Sequence, residues 1–163
     1  MKQFDAIILG FGKGGKTLAA ALTANGKKVA LVERSKEMYG GTCINVGCIP
    51  SKSLVHSALS AKQHADAAFE EKAAAYRVAI AEKRRITSML RQKNYDKLAS
   101  HPNATVFDGT GSFVDAHTVK VAGAESEELL SAPQIFINTG STPIIPNIEG
   151  IQQSRNVYTS TTL

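Results

Sequence analysis

The chain has 163 residues, 43% hydrophobic and 20% charged, with a formal net charge of +5; that is the length of one ordinary domain, and the composition excludes a disordered chain. The basic excess gathers at Lys83, Arg84, Arg85, Arg91 and Lys93 with no interleaved aromatic motif, which predicts a solvated helix face and no nucleic-acid partner. No stretch approaches a membrane span, so no membrane partner is expected.

The opening run, MKQFDAIILGFGKGGK, has an apolar core too short for a secretory signal and broken by glycines and lysines, so the cytoplasm is the expected compartment. There a standing structural disulfide is disfavoured and a cycling one is admissible. Residues 4–9 (FDAIIL) read as a buried strand and residues 16–24 (KTLAAALTA) as a helix ended by Asn25-Gly26. Residues 28–33 (KVALVE) read as a second strand, completing a βαβ unit of about thirty residues. A loop containing Gly40-Gly41 leads to two cysteines, and residues 54–62 read as helical.

Residues 66–99 form one long predicted helix, with Phe69, Ala73, Tyr76 and Ile80 on one face and Ile86, Met89 and Leu90 continuing it less regularly, stopped by His101-Pro102-Asn103. Short strand-like pieces follow at 105–107, 112–114 and 118–121, read as a small antiparallel meander, then a polar loop at 125–128. Residues 134–138 (QIFIN) read as another buried strand, and TPIIPNIEG as a proline-rich connection. The pattern predicts an α/β fold: a Rossmann-like parallel sheet with a helical insertion and a small meander.

Gly10, Gly12 and Gly15 stand as G-x-G-x-x-G between the first predicted strand and the first helix. In that context the glycines allow a tight turn, close approach of backbone to a pyrophosphate, and close packing of helix on strand. Phosphates then sit at the helix N-terminus, where free amides and the dipole favour negative charge. Glu33 ends the second strand about twenty residues on, where an acidic side chain takes the ribose hydroxyls of NAD or FAD. The spacing does not choose between them.

Cys43 and Cys48 are the only cysteines, within residues 40–52 (GGTCINVGCIPSK). As a staple, so short a loop would constrain the unfolded chain by only ~2 kcal/mol. As a metal clip, the pair lacks partners at ligand spacing; His56 and His64 are the nearest candidates. As a redox dithiol, the two can meet only where the backbone leaves regular helix, because Cα atoms five apart in a helix lie about 8–9 Å apart and a disulfide needs less than ~7 Å. Gly47 permits such a break, and Pro50 suits the first turn of a following helix. That places Cys48 near a helix N-terminus, with Lys52 adding positive potential.

GGTCINVGCIPSK after a GxGxxG βαβ unit resembles the flavoprotein pyridine nucleotide-disulfide oxidoreductases, the family of glutathione reductase, lipoamide dehydrogenase and mercuric reductase. Residues 137–143 (INTGSTP) resemble that family's second FAD-contacting loop, with Asn138 in place of the usual alanine, and residues 157–163 (VYTSTTL) resemble the link entering its NAD(P)H-binding domain. ILGFGKGGKTLA, with Lys13 after the second glycine, MYGGTCINVGCIPSK and IFINTG resemble the subgroup tied to bacterial defence against reactive chlorine species and hypothiocyanous acid.

The resemblance implies FAD as cofactor, reduced by NAD(P)H, and a Cys43–Cys48 redox disulfide. Cys48 would face the flavin, Cys43 would be the interchange thiol that meets substrate, and Lys52 would lie near the flavin N5. Gly10, Gly12, Lys13, Gly14, Gly15, Glu33 and Arg34 fall at positions for the ADP half of FAD, Gly41 and Thr42 beside the pyrophosphate, and Thr139 and Gly140 toward the flavin. The implied substrate is hypothiocyanous acid or a related oxidant or disulfide. Another family chemistry (lipoamide, glutathione disulfide or mercuric ion) and a flavin-free NAD-binding module are the alternatives. No metal site is expected. Residues 1–163 correspond to the N-terminal part of the FAD-binding domain, without the NAD(P)H-binding and dimerisation domains of a homodimeric enzyme. Such a piece is expected to be inactive alone, with an exposed core edge that favours association.

Overall fold

The computed structural model describes residues 1–62, 66–124 and 126–162; His64, Glu125 and Leu163 lie outside the described residues. Among the described residues, eight strands form two sheets. Strands β2 (Ala6–Leu9), β3 (Val29–Glu33), β4 (Ala104–Asp108) and β8 (Gln134–Ile137) make a parallel sheet in the order β4-β3-β2-β8. Strands β1 (Lys2–Gln3), β5 (Thr110–Asp115), β6 (Thr118–Ala122) and β7 (Glu127–Ser131) make a second sheet in the order β1-β7-β6-β5. The helices are α1 (Lys13–Ala24), α2 (Thr42–Asn45), α3 (Cys48–Ala61) and α4 (Phe69–Ala99), with a 3-10 turn at Lys36–Met38.

The parallel sheet is the middle layer, and this explains its composition. Every residue of β2 and β3 is buried, the continuous apolar run expected when both faces of a strand are covered. Ala6, Ile8, Val29 and Leu31 face Phe11, Ala19, Tyr39 and Leu98 on the helical side. Ile7, Leu9, Ala30 and Val32 face Val119, Val121 and Leu130 of the second sheet and Ala132 just after it. Each isoleucine so buried stabilises the fold by about 1.5–3 kcal/mol. The register Ala6↔Val29 to Leu9↔Val32 aligns the carboxyl ends of β2 and β3, where the loops of interest emerge.

Three readings need correction. The piece at 105–107 is not part of the meander: β4 pairs in parallel with β3, from Val29↔Ala104 to Glu33↔Asp108, because Val106 and Phe107 pack into the two cores. The meander is β5-β6-β7, and its last strand, Glu127–Ser131, overlaps the stretch read as a polar loop. Its two glutamates looked like loop residues, yet they pair with lysines on neighbouring strands: Lys2 to Glu128 at 2.7 Å and Lys120 to Glu127 at 3.3 Å, while Leu130 fills the core.

The third correction concerns α4. Phe69 and Tyr76 are exposed, and the buried positions are Ala79, Lys83, Thr87 and Leu98. The basic run is not wholly solvated either: Lys83 is 7% exposed and the Arg91 side chain 19%. A helix face is set by what it packs on, and α4 packs on α3, α2, α1 and β4: α3 flanks it near Ala75 and Tyr76, whereas α2 and α1 meet it at Arg91 and Asn94. Helix α3 starts at Cys48, with Pro50 in its first turn, and so extends the stretch 54–62 read as helical back to the second cysteine.

Candidate active site

The glycine loop leaves β2 through Gly10, whose φ of +107° is a left-handed conformation that suits glycine. A Cβ on Gly10 would stand 2.2 Å from Asn138 O, and one on Gly15 2.3 Å from Gly10 O. Both contacts are with backbone, so a side chain is barred at either position. Gly12 caps α1, which has no acidic residue in its first turn. The first amides of α1 therefore keep their partial positive charge, on a loop whose backbone a phosphate can approach closely.

Glu33, at the end of β3, is buried beneath this loop. Its Oε2 accepts the Phe11 amide at 2.9 Å and its Oε1 the Ser35 amide at 3.2 Å. A carboxylate has about four acceptor positions, so Glu33 is fixed in place and retains capacity for two hydroxyls. Arg34 beside it is exposed, as are Lys13 and Gly14. This donor and acceptor set fits the diphosphate and ribose of a dinucleotide.

The cysteine segment is tied directly to the glycine loop. The Gly40 amide donates to Phe11 O at 3.1 Å, and a Cβ on Gly41, where φ is +80°, would stand 2.6 Å from Gly12 Cα. Thr42 then opens the four-residue helix α2, which carries Cys43. Val46 and Gly47 interrupt the helical path, and α3 begins at Cys48 with Pro50 buried in its first turn. A Cβ on Gly47 would lie 3.5 Å from Cys43 Cα, so the chain doubles back on Cys43 at this point. The break predicted from the five-residue spacing falls here.

Both cysteines are free, exposed thiols. The neighbouring Cys48 thiol, followed by burial and the Cys48 charge, pushes the Cys43 pKa up. The Cys48 backbone amide and the positive charge of Lys52 pull the other way. Two free thiols thus influence each other at the start of a helix, with a cation near by; such a pair can exchange a disulfide with a small electrophilic sulfur compound.

The segment after β8 closes the site. The Asn138 amide donates to Leu9 O at 2.8 Å and its Nδ2 to Gly10 O at 3.2 Å. Thr139 lies beside Gly10, with its Cα 3.3 Å from the Cβ position there. Gly140, with φ +70°, faces open space. Gly10, Gly12, Gly14, Gly15, Glu33 and Thr139 therefore gather around one loop, and Gly41 and Thr42 connect it to Cys43, Cys48 and Lys52. Arg34 and Gly140 stand at the margin. Among the described residues, no three of the His, Cys, Asp and Glu side chains gather where they could hold a metal ion.

Sequence reasoning missed three contributors. Asn138 stood out as a departure from alanine, but not as the side chain that fills the space beside Gly12, Gly14 and Gly15. Asn45, inside the cysteine motif, bonds Tyr39 O and Gly41 O. Arg91, 46 residues away, bonds Asn45 and left no local signal.

The model of the pyridine nucleotide-disulphide oxidoreductase family matches residues 4–163, and the chain belongs to this family. It is 44% identical over all its residues to the Escherichia coli (strain K12) protein described as "Probable pyridine nucleotide-disulfide oxidoreductase RclA", covering 34% of that protein. It is 35% identical to a mercuric reductase of Lysinibacillus sphaericus, over 99% of this chain and 29% of that one. The structure of the Cu(II) complex of the HOCl-induced flavoprotein disulfide reductase RclA from E. coli matches with a TM-score of 0.83, over 99% of this chain and 34% of that one. The chain thus spans about a third of the length of these relatives, and its likeness to the E. coli protein RclA extends over its full length.

Proposed function

We propose that this chain forms the FAD-holding part of an NAD(P)H-driven reductase whose Cys43–Cys48 pair cycles between dithiol and disulfide to reduce hypothiocyanous acid or a related reactive oxidant. The observation that carries the reading is the break between α2 and α3, which brings the free thiols of Cys43 and Cys48 within reach of each other's influence, joined to a dinucleotide-type glycine loop through Gly41 and Gly12. The 44% identity to a reductase described as HOCl-induced supports the substrate class.

Gly10, Gly12, Gly14 and Gly15 hold the ADP half of FAD, the first turn of α1 receives the diphosphate, and Glu33 takes the ribose hydroxyls. FAD, when bound, relays the electrons of NAD(P)H to the disulfide. Cys48, with Lys52 one helical turn on, would be the thiol that receives electrons from the flavin, and Cys43 the one that meets the substrate. The Cys43 thiolate attacks the sulfur of hypothiocyanous acid, forming a Cys43–S–SCN bond while the hydroxyl leaves as water with one proton. The Cys48 thiolate then attacks the Cys43 sulfur, expels thiocyanate and restores the disulfide. Two thiols are oxidised and one hypothiocyanous acid is reduced. The complete protein works in the cytoplasm as a homodimer, with NAD(P)H-binding and dimerisation domains beyond the residues given.

The test is Cys43→Ser in the complete protein. Turnover of hypothiocyanous acid with NAD(P)H should fall on the order of a thousandfold or more, while the flavin absorbance band stays. Surviving turnover would refute these roles, and a colourless wild-type protein that binds NAD would favour a flavin-free module.

A further inference from the structure

Helix α4 presents Arg91, Asn94, Tyr95 and Leu98, spaced i, i+3, i+4 and i+7, as one stripe toward the site. Leu98 is buried in the helical-side core. Tyr95 stacks on Tyr39 with ring centroids 4.8 Å apart. Asn94 accepts a hydrogen bond from Lys16 of α1. Arg91 donates from Nε to Asn45 Oδ1 at 3.0 Å, and its guanidinium also pairs with Glu37. Asn45 is the last residue of α2, two after Cys43 and three before Cys48. Its Nδ2 donates to Tyr39 O and to Gly41 O, each at 3.0 Å. A chain of bonds thus runs from a 31-residue helix through one guanidinium and one carboxamide to the backbone that carries the first cysteine.

Resting on the dithiol reading above, we propose that Arg91 is a positioning residue that acts through Asn45 to fix α2 against the start of α3 and so sets how readily the Cys43–Cys48 disulfide forms. A four-residue helix does not hold itself in water, and α2 is joined to α3 by only Val46 and Gly47. A disulfide needs a narrow range of Cα separations and Cβ directions. Releasing α2 lowers the effective concentration of one thiol at the other, which favours the dithiol. The Arg91 side chain is largely buried while Glu37 is solvent-facing, so the bond to Asn45 is the one shielded from water, and the Glu37 pair adds little.

The equilibrium is read in glutathione buffers on the flavin-loaded complete protein. The two thiols and glutathione disulfide convert to the protein disulfide and two glutathiones, and the remaining thiols are counted by mass after alkylation. Arg91→Ala should shift this equilibrium roughly tenfold toward the dithiol, about the size of one hydrogen bond from a charged donor. Asn45→Leu should shift it the same way, and the double variant little further, because both remove one connection. Glu37→Gln should leave it unchanged. Arg91→Gln retains a donor with less truncation; should Arg91→Ala fail to fold, an intermediate shift in Arg91→Gln supports the proposal, and none overturns it. An unchanged equilibrium in a folded Arg91→Ala, or single shifts that simply add in the double variant, would overturn it while leaving the dithiol reading intact. A wild-type protein that forms no Cys43–Cys48 disulfide in oxidising buffer would overturn both.

Discussion

The glycine loop and the cysteine segment touch each other, yet they rest on different supports. The loop springs from β2 and β3, strands buried on both faces, and its tightest contacts are backbone against backbone. The cysteines sit on α2 and α3, outside the sheet. Val55 and Leu59 of α3 and Phe69, Tyr76 and Val78 of α4 are exposed. Between these two helices lies a cavity of about 700 Å³, lined by residues that include Leu54, Ala58, Ala75 and Tyr76. Packing thus sets the shape of the glycine loop, whereas hydrogen bonds from Asn45 and Arg91 brace the segment that carries Cys43. The first region should resist repair once broken; the second should be tunable.

The largest effect should come from Gly15→Ala. Its Cβ would lie 2.3 Å from Gly10 O, and that carbonyl belongs to the turn leaving β2. We expect a loss of about 1–3 kcal/mol, the usual cost of forcing extra atoms into a close-packed site, together with loss of bound flavin. Denaturant midpoints and flavin absorbance check both. A stable, yellow Gly15→Ala protein would show that the cradle is looser than the sheet beneath it.

The thiol pair should respond in either direction without loss of the fold. Cys48 is the largest influence holding the Cys43 thiol above its ordinary range, so Cys48→Ala should let the Cys43 thiolate form at lower pH. Lys52 favours that thiolate, so Lys52→Met should move its formation to higher pH, by less than Cys48→Ala moves it down. The pH profile of iodoacetamide alkylation at Cys43, read by mass, gives both signs. Shifts of the same sign in the two variants would break the assignment of causes.

The two regions were also unequally legible in the sequence. The cradle was readable because its parts are local: β2, the glycines, α1 and Glu33 follow one another, and the spacing carries the geometry. The break at Val46 and Gly47 was readable from the length limit on a disulfide. What escaped depends on partners distant in the chain. Nothing around Glu127 and Glu128 reveals that Lys120 and Lys2 will face them across β6 and β1. Arg91 looked like one cation in a basic run until α4 was laid against Asn45. Of the apolar face expected along 69–80, Ala73 and Ile80 are half-buried while Phe69 and Tyr76 stay exposed, because hydrophobic spacing shows which side of a helix seeks cover, not how much cover is present.

That last point yields the smallest predicted effect. Leu59 is 64% exposed on α3, and a substitution at so open a position should change stability by no more than about 0.5 kcal/mol. Leu59→Ser should therefore leave the thermal midpoint of the dilute chain unmoved. A homodimer that covers this face would behave differently, because an apolar side chain removed from an interface costs stability only when the interface forms. The midpoint of Leu59→Ser would then fall below wild type as protein concentration rises, and the gap would widen with each dilution step reversed. A gap that is large and independent of concentration would mean instead that α3 is already covered within the chain, and the contrast between a packed cradle and an open redox helix would not hold.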